Sequence, residues 1–271
     1  MDQVKAGELF ELSLFGEGIE RRYRKMRPEV EAMPWGTLDT SVFSEKALIL
    51  ARKQWTGAAF QEHRTGIACA ATLRGLLECR APLDLIAMAS RFPLDELVHV
   101  ELCARMAMEL GGGTEIMHDP DEMIVDAPAE LSPLMRAADM IVRFFCVGEA
   151  LSIPLLRGTW KAAQHPLPRA VLGRIVKDEA AHGTFGFAFL DWALPDLTEA
   201  DLTHLGRAAD RTILAVQRQW KDIEARRALD DEPAKDALGW MRSDAYLALA
   251  QRSMEERVRT PLRARGIPIS A

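Results

Sequence analysis

The chain contains no CxxC pair. Its four cysteines, Cys69, Cys79, Cys103 and Cys146, follow no regular spacing, which excludes a rubredoxin-type or zinc-ribbon module and reads as reduced thiols in a cytoplasmic protein. No apolar run reaches the roughly 18 residues that a membrane span needs, and no N-terminal stretch joins basic residues to an apolar segment. A basic excess is also missing. The formal charge of -6 gives no support to a nucleic-acid or membrane partner. Alternating β-branched runs are nearly absent, so no strand pattern competes with the helical one.

What remains is helical periodicity over 271 residues, enough for a substantial core. Residues 1 to 40 are mixed, with a break at Pro34-Trp35-Gly36. Helices are expected at about 42–80, 83–110, 132–158, 167–194, 198–227 and 233–258, with Thr198 capping the fifth and an irregular tail after Pro261. Gly111-Gly112-Gly113 stops the second helix, and Pro93 is expected to kink or split it. Short turns join the first and second helices, and the third and fourth, so each pair reads as an antiparallel hairpin. About twenty residues link the two hairpins, long enough to run the length of a bundle. The expected architecture is one all-α domain over 1–271. A ferritin-like four-helix core with one long crossover spans 42–194, and additional packing helices span 195–260.

Two stretches carry the chemistry. Leu94-Asp95-Glu96-Leu97-Val98-His99 and Lys177-Asp178-Glu179-Ala180-Ala181-His182 repeat one pattern, DExxH, each inside an expected helix. Glutamate and histidine three apart share a helix face and can reach the same ion. A single ExxH is a weak signal, and usually a surface contact; two in matching contexts are not. A metal pair in a bundle needs one further carboxylate from each of the other two helices. Glu62 precedes Glu96 by 34 residues and Glu149 precedes Glu179 by 30, so the chain reads Glu, DExxH, Glu, DExxH. Glu149 is the sole charge in Phe144–Leu156, and Trp55, Ala58, Ala59, Cys69 and Leu73 put Glu62 on an inward stripe. Burying an ionised carboxylate without a partner costs several kcal/mol. A cation removes that penalty.

These residues resemble the ferritin-like non-haem diiron carboxylate superfamily, over about residues 42 to 194. Its members include multicomponent monooxygenases, acyl-carrier-protein desaturases, aldehyde-deformylating oxygenases, arylamine N-oxygenases and ribonucleotide reductase small subunits. The resemblance implies that Glu62, Glu96 and His99 hold one iron and that Glu149, Glu179 and His182 hold the other. It further implies cross-pairing of the preceding aspartates, with Asp95 orienting His182 and Asp178 orienting His99. Cys69, Cys103 and Cys146 fall on the same stripes and are expected to line a pocket beside the site. Gly183 and Gly186 either leave room for oxygen or substrate or allow close helix approach. Pro154, five residues past Glu149, suggests a local distortion. The run from Arg21 to Arg27 reads as a solvated face, and His63, His118, His165 and His204 as ordinary histidines.

Four carboxylates with only two imidazoles suit iron or manganese better than zinc or copper. The expected cofactors are two iron ions, or a manganese–iron pair, with dioxygen as co-substrate. The expected activity is oxygenase or oxidase chemistry on a small organic molecule: hydroxylation, N-oxygenation, desaturation or oxidative cleavage. Nothing resembles a flavin, nicotinamide or iron–sulfur motif, so electrons would come from a separate ferredoxin or reductase, and a homodimer is an open assembly. Cys103 stands where the reductase small subunits carry a radical tyrosine, and Ile175 where arylamine N-oxygenases carry an extra histidine. Both departures weigh against those two members. The alternatives are an iron-handling ferroxidase without an organic substrate and a helical scaffold with a structural metal.

Overall fold

The computed structural model describes residues 7–225 and 237–270. The expected all-α bundle is present. Its two short leading helices, α1 (Glu17–Lys25) and α2 (Pro28–Glu31), fall in the segment whose sequence gave no clear period. Four long rods follow. They are α3 (Glu45–Glu78), α4 (Leu83–Glu109), the continuous α5 (Pro133–Ile141) and α6 (Ala150–Ala162) joined by a π-helical stretch over Val142–Glu149, and α7 (Pro166–Ala193). Then come α8 (Glu199–Ala225), α9 (Ser243–Ser253) and α10 (Thr260–Arg263), the last two joined by a second π-helical stretch, Met254–Arg259. The tail beyond Pro261 is therefore partly helical, and the expected helix start near 233 lies outside the described residues. Among those residues, no helix is long and apolar enough to cross a membrane.

The helix ends follow their sequence signals. Ser44 accepts the Ala47 amide ahead of α3, and Ser132 accepts that of Met135 ahead of α5 with Pro133 at the first helical position. Thr198 and Asp201 bond each other's amides reciprocally in front of α8. Gly111 and Gly112, both at positive φ, end α4. Pro93 does not split α4, which runs unbroken through it.

Neighbouring rods run antiparallel. The end of α4 returns to the start of α3, where Arg52 donates to the carbonyls of Gly112 and Gly113. The residues facing across α3 and α5, α6 and α7, and α4 and α7 likewise count in opposite directions. Consequently α4 and the α5–α6 rod point the same way, and the link between them must travel the bundle length. On the way it forms a small antiparallel ladder, β1 (Glu8–Leu9) with β2 (Met117–His118). That two-residue pairing was invisible in a pattern-based reading.

Two apolar layers hold the bundle. One centres on Phe92, Phe145, Phe185 and Phe189 and takes in α8 to α10; the other centres on Trp55, Leu102, Met106 and Leu167. The metal-ligand candidates lie where the four rods meet. The basic run from Arg21 to Arg27 departs from expectation at one residue. Arg27 is buried between Glu31, four residues on, and Glu101 of α4, whose carboxylates replace its water.

Candidate metal centre

All six residues singled out from the sequence converge. Glu62, Glu96, His99 and Glu179 offer ligand atoms within 4.8 Å of one another, as do Glu96, Glu149, Glu179 and His182. Glu96 and Glu179 belong to both groups. Glu179 turns Oε1 toward His99 Nδ1, at 3.2 Å, and Oε2 toward His182 Nδ1, also at 3.2 Å. Glu96 does the same, with Oε1 3.0 Å from His182 Nδ1 and Oε2 3.7 Å from His99 Nδ1. Glu62 Oε2 lies 3.6 Å from His99 Nδ1. Glu149 sits at the end of the π-helical stretch, and Ser152 Oγ donates to its Oε2. Wound at a different pitch, that stretch sets the direction of Glu149; such π segments recur at functional sites. The distortion expected near Pro154 thus lies on its N-terminal side.

The aspartates cross between hairpins. Asp178 Oδ2 is 3.2 Å from His99 Nε2, while Asp95 Oδ2 is 3.6 Å from His182 Nε2, an ion-pair distance rather than a hydrogen bond. An ionised carboxylate only accepts, so Asp178 keeps the proton on Nε2 and leaves the Nδ1 lone pair of His99 free for a cation. Two arginines escaped the sequence reading. Arg91 reaches both Asp95 and Asp178, and Arg174 pairs with Asp178 and with Glu29. Each stands four residues before its aspartate, so the full repeat is RxxxDExxH, a signal available in the sequence. A third ExxH, Glu115 to His118, also went unnoticed. It falls on the crossover around β2 and joins neither group.

The donor atoms fit a pair of cations. Both carboxylate oxygens of Glu96, Oε2 of Glu179 and Nδ1 of both histidines are buried without a hydrogen-bond partner. Each such atom costs about 1–3 kcal/mol. The acid–base state says the same. Burial pushes the Glu62 carboxyl up to about 8 against the pull of His99. Burial, then the charges of Glu179 and Glu96, hold Glu149 well above the usual carboxylate range. Burial would lower both imidazoles, but the surrounding glutamates, and Asp95 for His182, prevail and raise them, His182 to about 12. Glu179 goes the other way; burial would raise it, yet His182 and His99 hold it below its ordinary value. All of these directions follow from crowding carboxylates and imidazoles into one buried cluster, which added positive charge stabilises.

The remaining candidates are spread around this centre. Cys69, Cys103 and Cys146 are buried in the apolar layers, and burial raises all three thiols. A β-carbon on Gly183 would overlap Ile153, and one on Gly186 would come within 2.8 Å of Phe145 Cβ and 2.7 Å of Cys146 Sγ. These glycines let α7 press against the α5–α6 rod. Of the histidines read as ordinary, His204 lies 2.9 Å from the buried Asp139 and ties α8 to α5, and His165 accepts the Leu167 amide at the start of α7. No protein-family model matches the chain, and no curated protein matches it.

Proposed function

We propose that the chain is an O2-activating non-haem diiron oxygenase or oxidase of the ferritin-like superfamily, acting on a small organic molecule. The supporting observation is the shared pair Glu96 and Glu179, each turning one oxygen to either histidine, within a set of four carboxylates and two imidazoles. That donor set favours iron or manganese. When bound, the metal pair supplies the electrons that reduce dioxygen.

The chain's own part is positional. Glu96 and Glu179, common to both groups, would help to hold both ions, and Glu62 and Glu149 would each add a carboxylate to one. Asp178 fixes the tautomer of His99, and Asp95 balances His182 from the opposite hairpin. The Phe92 ring lies tilted with its centroid 4.1 Å from that of His182 and makes, with Phe145 and Phe185, an apolar wall that excludes water on that side. Glu62 and Glu149, whose carboxyls burial raises above the ordinary range, can release or accept protons as charge changes in the site. Electrons come from a separate donor, a ferredoxin or reductase.

The test is metal analysis of protein purified without added metal, then anaerobic Fe2+ titration and O2 exposure. Two irons per chain, with O2 uptake stimulated by an organic substrate, support the reading. Steady turnover of added Fe2+ without any organic substrate means iron handling instead. Zinc, or a single tightly held ion, sinks the diiron reading.

A further inference from the structure

A cleft of about 780 Å³ runs along α3, bounded by Thr159 of α6, Tyr246 of α9 and the turn that carries Leu238 and Trp240. The α3 residues along it extend from Ala47 to Gln61, about 21 Å at the helical rise. This is the size of sites that hold small organic molecules. One wall is rigid, because the buried Trp55 donates to the Leu238 carbonyl and packs edge-on against Trp240. Small side chains on α3, notably Ala51, Gly57 and Ala58, open the groove.

Two observations give the cleft a direction. Lys53 is the only charged side chain among the described residues lining it, in a chain of net charge -6. Ala58, on the far margin, stands one turn before Glu62 on the same face. Glu62, its side chain 15% exposed, is the most open of the six candidate ligands. The cleft thus offers one cationic side chain for an oxygen acid, an apolar middle and a margin beside the metal centre.

We propose that this cleft is the substrate site of the centre, taking an elongated apolar molecule that ends in a carboxylate. The carboxylate lies toward Lys53 and the apolar end toward Glu62. The proposal rests on the diiron reading for its chemistry, but the cleft can be tested apart from it. Calorimetric titration of the metal-free protein with decanoate and with decylamine is the first step. Decanoate binds and decylamine binds more weakly. Lys53→Glu, at an exposed position, weakens decanoate about fivefold. Leu97→Gln, in the separate groove also lined by Tyr23 and Met108, leaves it unchanged. No decanoate binding, equal affinity for the amine, an unchanged Lys53→Glu or a loss in Leu97→Gln each overturns the proposal. With Mn2+ loaded, the terminal methyl of decanoate broadens more than the methylene beside its carboxylate; the reverse order overturns the stated orientation. If decanoate obeys Lys53 while the protein takes up no Mn2+, the metal reading falls and the cleft stands.

Discussion

Replacing Asp178 with asparagine keeps the size of the side chain and removes its charge. Asp178 Oδ2 sits 3.2 Å from His99 Nε2, and exchanging such a partner behind a metal-binding histidine lowers metal affinity about 10–100-fold, or about 1.4–2.8 kcal/mol. Free Mn2+ at about 100 times the native dissociation constant stabilises the native fold by about 2.7 kcal/mol per site. At the same Mn2+ concentration the variant keeps only about 1.4 to 0.4 kcal/mol. Mn2+ suits a carboxylate-rich site and is spared the oxygen sensitivity of Fe2+. Urea unfolding of both proteins, with and without Mn2+, gives the increment due to metal in each. The weakened pairs with Arg91 and Arg174 affect both measurements of the variant and cancel in that difference. An increment equal in the two proteins refutes the role given to Asp178.

Metal uptake at neutral pH should release protons, because Glu62 is raised to about 8 and His182 to about 12. Apparent affinity therefore climbs from pH 6 to 8 and beyond, and calorimetry in two buffers of different ionisation heat reads the proton number; zero or negative release refutes it. The same raised groups bind more protons folded than unfolded, so they make the metal-free protein lose stability as pH rises from about 4.5 to 8, a range above the one in which the lowered Glu179 acts. Thermal melts across that range check the sign. Gly183→Ala should cost about 1–3 kcal/mol through overlap with Ile153, while Gly57→Ala, with open space around it, should gain about 0.5–1 kcal/mol; equal urea midpoints would contradict this. His204→Ala should cost about 1–3 kcal/mol by leaving the buried Asp139 with Arg143 alone, and a midpoint shift under 0.5 kcal/mol counts against that contact holding α8.

The six converging side chains were legible because helical spacing alone places i and i+3 together, and two equal hairpins repeat the pattern. Arg91 and Arg174 were equally legible, one turn earlier, but each became meaningful only through an aspartate on the neighbouring rod. Burial of Arg27 depends on Glu101, 74 residues away, and the link from Trp55 to Leu238 spans 183; no local pattern reports either. The π-helical stretch over Val142–Glu149 escaped for another reason. Residues 137 to 147 are apolar on nearly every face, so a one-residue shift in phase leaves no mark on the hydrophobic pattern. Gly183 and Gly186 offered two readings, and only the position of Ile153 and Phe145 selects close approach.

The crossed aspartates make each half of the bundle dependent on the other. The first hairpin contributes Asp95 to an imidazole it does not own, and the second returns the favour with Asp178. Neither hairpin, separated from its counterpart, would hold a complete ligand set or an aligned histidine. Loading the ions and docking the halves should therefore be a single cooperative event: fragments split within the crossover would reassociate far more tightly when the cation is present than when it is not.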